Sequence, residues 1–252
     1  MKDPRSILIT GASSGIGEAL ALAYAGPGVS LALTGRDAQR LEAVAAACRQ
    51  RGATARPAVI DAADREAMAR WLEEIDRAAP LDLVIANAGR GAGAVEGLET
   101  EEQTRAVFAV NLDGVMNTVL PLIPRFLARR RGQIAIMSSL ASFRGFPPAP
   151  AYCASKAAVR TWGEALRGEL HRHRVEVSVI CPGFVVSRMT SGNKFSMPFL
   201  MTAERAAAVV KRGLARNRGR IAFPFPMYFV LWLFGALPPL LTDPVLMRLG
   251  KR

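Results

Sequence analysis

The sequence predicts an α/β fold, a doubly wound parallel sheet of about seven strands with helices on both faces. Two observations predict it. Short apolar, β-rich runs alternate with helical runs through most of the 252 residues, and the polar or glycine-rich stretches that could carry chemistry fall just after the strand-like runs. Candidate strands span 6–10, 29–34, 57–60, 82–86, 133–138, 175–181 and 221–223, with helices near 15–25, 37–51, 64–78, 101–130, 151–173 and 202–217. Right-handed crossovers between parallel strands then bring the loops that follow them to one edge. Half the residues are hydrophobic, enough for one large core, and no repeat, linker or low-complexity segment divides the chain.

The first strand, Ser6 to Thr10, runs into Thr10-Gly-Ala-Ser-Ser-Gly-Ile-Gly17 and then into a strongly helical stretch. Glycines at a strand-to-helix turn suit a pyrophosphate. Backbone N–H groups and the positive end of the helix dipole face the anion, and the missing Cβ atoms let the backbone come close. The residues of this turn are Gly11, Ser13, Ser14, Gly15, Ile16 and Gly17, spaced GxxxGxG rather than GxGxxG. No Gly-Lys-[Ser/Thr] follows, which excludes a P-loop.

Further along, Tyr152 and Lys156 stand four residues apart on a candidate helix, with Ser139 thirteen positions before Tyr152. Residues i and i+4 share a helix face, so the phenol and ammonium can point into one cleft. A nearby cation favours phenolate, and a phenol tuned in this way can exchange a proton with a substrate oxygen. Ser139 is then placed to hydrogen-bond that oxygen as negative charge develops on it.

These residues resemble the short-chain dehydrogenase/reductase family, and the resemblance runs to about residue 220. Several motifs occur in the family's order: the turn from Thr10 to Gly17, Asn87-Ala88-Gly89 after the fourth strand, and Asn111, Ser139, Tyr152 and Lys156 as a catalytic tetrad. The resemblance implies a Rossmann-like catalytic and cofactor-binding domain over 1–220. It further implies that Lys156 holds the nicotinamide ribose, that Asn111 holds a water linking Lys156 to solvent, and that Asp61 borders the adenine. Pro182, Gly183, Val185 and Ser187 resemble the segment that meets the nicotinamide carboxamide, with serine where the family often has threonine.

The end of the second strand bears on the cofactor. An NAD-specific site places a carboxylate near position 35 to accept from the ribose 2′-hydroxyl; here Gly35 is followed by Arg36, a guanidinium suited to a 2′-phosphate. NADP(H) is therefore expected over NAD(H). Asp37 reads as a helix N-cap. The implied enzyme is an NADP(H)-dependent oxidoreductase acting on a hydrophobic carbonyl or alcohol, because the stretches Phe143–Pro148 and Met189–Met201, with Phe184, are apolar. Arg188 and Lys194 could meet an acidic group. The alternatives are a cofactor-binding regulator without turnover and a lipid carbonyl reductase at a membrane surface.

Residues 221–242 contain no charge at all, and prolines at 224, 226, 238 and 239 interrupt them too often for a spanning helix. The expectation is that the apolar extension, 221–252, folds onto the same domain or a subunit interface. A peripheral membrane contact through 221–242 is the competing reading. A homodimer or homotetramer in the cytoplasm is expected. Three cysteines without metal-ligand spacing imply packing roles in a reduced compartment, and no metal site is expected. The net charge of +12 raises nucleic acid as a partner, but the arginines are dispersed and lack interleaved aromatics.

Overall fold

A computed structural model describes residues 2–91, 98–192 and 196–249. Seven parallel strands, β1 (Ser6–Ile9), β2 (Ser30–Gly35), β3 (Thr54–Val59), β4 (Leu83–Ala86), β5 (Gly132–Met137), β6 (Val175–Pro182) and β7 (Arg220–Phe223), form one sheet in the order β3-β2-β1-β4-β5-β6-β7. The order reverses between β1 and β4, and a crevice opens at such a switch point beyond the carboxyl ends of the strands. Successive side chains on a strand face opposite ways. Ile7, Ile9, Leu31 and Leu33 accordingly join the core under α1 (Gly15–Tyr24), α2 (Ala38–Gln50) and α8 (Ala203–Ala215). Leu8, Val84, Ile134 and Ile136 join the core on the other face, under α3 (Arg65–Ala78) and α7 (Pro150–His171).

The expected helix over 101–130 is one helical run, but not a uniform one. It comprises α4 (Glu101–Phe108), a π-helical turn (Ala109–Asp113), α5 (Gly114–Val119), a 3₁₀ turn (Leu120–Leu122) and α6 (Ile123–Arg129). Pro121 and Pro124 lie at the starts of the 3₁₀ turn and of α6, where a missing N–H is tolerated. β3 begins three residues before the expected 57. As an edge strand with only Ala55 buried, it carries a weak apolar signal, and Pro57 is permitted there.

Beyond β7 the chain forms two helices that the proline pattern had obscured, α9 (Phe225–Ala236) and α10 (Pro239–Leu249). Pro226 and Pro239 open these helices instead of breaking them. The inner face of α9 packs Met227, Tyr228 and Leu231 on Leu140, Val179 and Cys181. Arg220, on β7, ties it down by hydrogen bonds to Tyr228 Oη (3.1 Å) and the Glu164 carboxylate. The Arg129–Arg131 triplet is spent internally: Arg129 Nη1 reaches both oxygens of the buried Asp76 at 2.9 Å, and Arg131 pairs with Asp82.

Candidate active site

The glycine turn leaves β1 and enters α1 with almost no free space. Gly11 and Gly15 have φ of +66° and +61°, values that suit glycine, and Ala12 N–H donates to Thr34 O at 2.8 Å. A Cβ on Gly17 would collide with the Gly11 carbonyl oxygen and lie 2.6 Å from the Asn87 side-chain nitrogen; one on Gly11 would lie 2.8 Å from Ala88 Cα. Side chains of Asp37, Asp64, Thr100 and Thr202 cap α2, α3, α4 and α8, whereas Ser14 at the start of α1 makes no such bond. The first-turn N–H groups of α1 thus keep their capacity for an anion. These features fit the pyrophosphate of a dinucleotide.

Asn87, Ala88 and Gly89, just past β4, lock this turn. Asn87 Nδ2 donates to Thr10 O (2.9 Å) and Gly11 O (3.2 Å), while the Thr10 hydroxyl accepts from Asn87 N (3.0 Å) and Ala88 N (3.1 Å). Thr10 opens the glycine motif, yet its role as the acceptor that joins the two loops needed the neighbouring strand to become visible. Ser13 lies against Gly35, where an added Cβ would be 3.0 Å from its Cβ and Oγ. Ile16 packs on the core beneath the turn.

The tetrad residues come together past β4 and β5. Ser139 caps the 3₁₀ turn Leu140–Ser142 and accepts from Ala141 N at 3.1 Å. Lys156 is 3% exposed; its Nζ donates to Met137 O at 2.9 Å and lies 5.9 Å from the Tyr152 ring centroid. Burial lowers the ammonium pKa to about 8.

The phenol departs from the expectation that the cation would lower it. Burial raises the Tyr152 pKa above its ordinary value, and the Ser139 side chain acts in the opposite direction. Lys156 is directed at a backbone carbonyl, so its influence on the phenol is secondary to desolvation in this arrangement.

Asn111 sits within the π-helical turn and is fully buried. Its side chain accepts from Arg90 N (2.7 Å) and donates to Arg90 O (3.0 Å) and Ser155 Oγ (3.1 Å), while Ser155 Oγ donates to Tyr152 O (2.8 Å). Asn111 therefore ties the post-β4 loop to α7 one turn from Tyr152. Gly89 completes the packing: an added Cβ would be 3.3 Å from Asn111 Oδ1 and 3.4 Å from Lys156 Nζ. π-turns within α-helices recur at functional sites.

Two supporting residues escaped the sequence reading. Ser138 Oγ donates to Lys156 O at 2.8 Å, and Glu99 Oε2 accepts from Ala151 N at 3.0 Å. Glu99 thereby caps α7 from a separate loop, since Ala149 makes no side-chain cap. Only tertiary proximity could find it.

The segment after β6 arches over the turn. Gly183 N donates to Phe223 O at 2.7 Å, and Pro182 ends β6. Val185 is buried and bridges Met201, and Ser187 lies against Gly15, where an added Cβ would be 3.0 Å from its own Cβ. Met189 approaches Gly91, bringing the apolar loop beside the post-β4 segment. Arg188 is exposed, and Lys194 lies outside the described residues. At the far end of the turn, Arg36 Nη1 is 3.7 Å from Asp61 Oδ2, with its side chain 63% exposed. Asp61 Oδ1 accepts from Ala63 N. Among the described residues no cluster of His, Cys, Asp or Glu could hold a metal, and all three cysteines are buried and free.

A switch-point crevice with a glycine-rich strand-to-helix turn is the arrangement of dinucleotide-binding folds. Residues 5–196 match the family described as short chain dehydrogenase, and the chain belongs to that family. It is 36% identical over 246 residues to an uncharacterized oxidoreductase of Myxococcus xanthus (strain DK1622), covering 97% of each chain. The crystal structure of a short chain dehydrogenase from Mycobacterium paratuberculosis bound to NAD superposes with a TM-score of 0.77 at 26% identity, over 86% of this chain and 94% of that one. A short-chain dehydrogenase from Sphingobium yanoikuyae in complex with NADPH shares the fold, with a TM-score of 0.78 at 24% identity over 98% of this chain and 94% of that one.

Proposed function

We propose that this oxidoreductase is an NADP(H)-dependent reductase of hydrophobic carbonyl compounds, with Tyr152 as the proton donor. The single observation that carries the reading is the placement of buried Lys156, whose Nζ lies 5.9 Å from the Tyr152 ring centroid and 3.4 Å from where a Cβ on Gly89 would stand, in the loop that backs the glycine turn. When bound, a nicotinamide cofactor supplies the hydride. Tyr152 Oη releases its proton to the substrate oxygen in reduction and takes one back in oxidation. Ser139 Oγ donates to the same oxygen as charge builds there. Lys156 and Asn111 hold the geometry of α7 and offer a buried route for the replacement proton.

Gly11, Ser13, Ser14, Gly15, Ile16 and Gly17 would hold the pyrophosphate, with Asn87, Ala88 and Gly89 backing it. Pro182, Gly183, Val185 and Ser187 would meet the nicotinamide end, and Asp61 the adenine. NAD and NADPH both occur among related folds, so the choice is argued from this chain: Gly35 removes the carboxylate that would repel a 2′-phosphate, and Arg36 supplies a cation. The apolar walls, Phe143 and Met189 among them, favour a hydrophobic substrate.

Initial rates with NADPH and NADH over a panel of carbonyl compounds test this reading. NADPH is expected to be preferred, and Arg36→Leu to lower kcat/KM for NADPH by about ten- to a hundredfold, from the loss of a charge-assisted contact. Equal use of NADH and NADPH by the wild type removes the role given to Arg36.

A further inference from the structure

Large apolar side chains left exposed are unevenly spread. Of the sixteen among the described residues, seven are scattered between Val59 and Leu200, while nine fall between Phe225 and Met247 on α9 and α10. No residue of α9 is fully buried, and none of its twelve is charged. Its inner face, at helical spacing, packs Met227, Tyr228 and Leu231 on the protein. Its outer face presents a continuous aromatic ridge: the Phe225 and Phe229 ring centroids are 6.3 Å apart, and those of Phe229 and Trp232 are 6.2 Å apart. Phe225 is 69% exposed, and Leu240 on α10 is 85% exposed. A contiguous apolar surface of this kind marks an interaction site.

We propose that the outer face of α9 docks the protein on an anionic lipid surface, the helix lying in the plane of the interface. Neither helix can cross a bilayer. The twelve residues of α9 and the eleven of α10 reach about 18 Å and 16 Å at ~1.5 Å per residue, short of the ~30 Å hydrocarbon core. An interfacial helix needs one face in lipid and the other in a polar setting. Here the protein body covers the inner face, so the helix itself can be apolar all round. Trp232, 46% exposed on the outer face, is of the type that settles at headgroup depth.

Charge selects a lipid surface over a second copy of this chain. A second copy carries the same overall charge of +12, whereas anionic headgroups carry the opposite sign. Phe225 to Thr242 also holds no charged residue with which a two-fold contact could build reciprocal ion pairs. In the sequence, the ten residues that follow carry Asp243 against Arg248, Lys251 and Arg252, a positive balance.

Flotation of the full-length protein with vesicles tests the proposal, using phosphatidylcholine alone and phosphatidylcholine mixed with phosphatidylglycerol, at low salt. The protein should float with the phosphatidylglycerol vesicles and weakly or not at all with phosphatidylcholine. The double variant Phe229→Ser with Trp232→Ser should lose at least about tenfold in bound fraction, and Val59→Ser, an exposed apolar residue on the edge strand, should lose nothing. Melting temperature and NADPH binding of the double variant establish that it is folded. Brominated lipid should quench wild-type tryptophan fluorescence more than that of Trp232→Phe, since Trp71 and Trp162 lie on the body of the protein. Wild type that fails to float, or a folded double variant that floats as well as wild type, overturns the proposal. A wild-type dimer that dissociates in the double variant without any vesicle binding assigns the face to a second copy instead.

Discussion

The two sides of the cleft are built by different means. On the proposed cofactor side, the Thr10–Gly17 turn and the Asn87–Gly89 loop are pinned by the Asn87 amide and the Thr10 hydroxyl, each bonded to the other loop's backbone. Hydrogen bonds of 2.9 to 3.2 Å hold them, with no space for a Cβ at Gly11 or Gly17. On the proposed substrate side, α9 meets the loop after Ser139 mainly through side chains: Tyr228 lies edge-on to Phe143 with centroids 5.4 Å apart, and Arg160 and Arg220 stack on the same Phe143 ring. A cradle with no space for a Cβ accepts one shape. A side-chain wall can be repacked with other residues of similar volume, so the same chemistry can serve different substrates.

Tyr152 stands at the seam, and removing its hydroxyl should separate the two sides most sharply. Tyr152→Phe is expected to bind NADPH as the wild type does while kcat falls by about a thousandfold, the order of a general-acid contribution. Undiminished turnover in that variant would sink the assignment.

Gly17→Ala should come next. The added methyl meets the Gly11 carbonyl and the Asn87 amide, so a cost of about 1–3 kcal/mol in urea unfolding, with weakened NADPH binding, is expected. Gly145→Ala, where nothing lies within 4 Å, should be close to neutral. Equal effects at the two positions would erase the contrast between cradle and wall.

The buried ammonium gives a pH test of comparable size. Lys156 falls from 10.5 to about 8 on folding, so between those values the unfolded chain holds the extra proton and stability rises with pH. The rise is about 3 kcal/mol at most. Burial of Cys181 works the other way, raising its thiol from 9.0 to about 11; stability from that group is lost as pH climbs through this range. The comparison is therefore wild type minus Lys156→Met by chemical unfolding at pH 7 and pH 10. Wild type should gain on the variant as pH rises, and a flat difference would show that the ammonium is solvated.

The smallest effect belongs to the wall. Tyr228→Phe removes the hydrogen bond to Arg220 but keeps the ring against Phe143, so about 1 kcal/mol of stability should be lost with NADPH affinity unchanged. A matching loss of NADPH affinity would show that the wall and the cradle are coupled.

The sequence by itself determined the seven strands, the order of the motifs and the meeting of Tyr152 with Lys156, because these rest on local period and spacing. The glycine turn was legible for the same reason: three glycines in seven residues have a local backbone cause. Only the tertiary structure decided what surrounds those groups. The Tyr152 pKa rises because of burial, a property of everything packed above it, and Glu99 caps α7 from 52 positions away. The C-terminal helices divide in the same way. Their lack of charge could be read from the chain, but which face of α9 rests on Leu140 and Cys181, and which is left to solvent, depends on where β7 delivers it against the sheet.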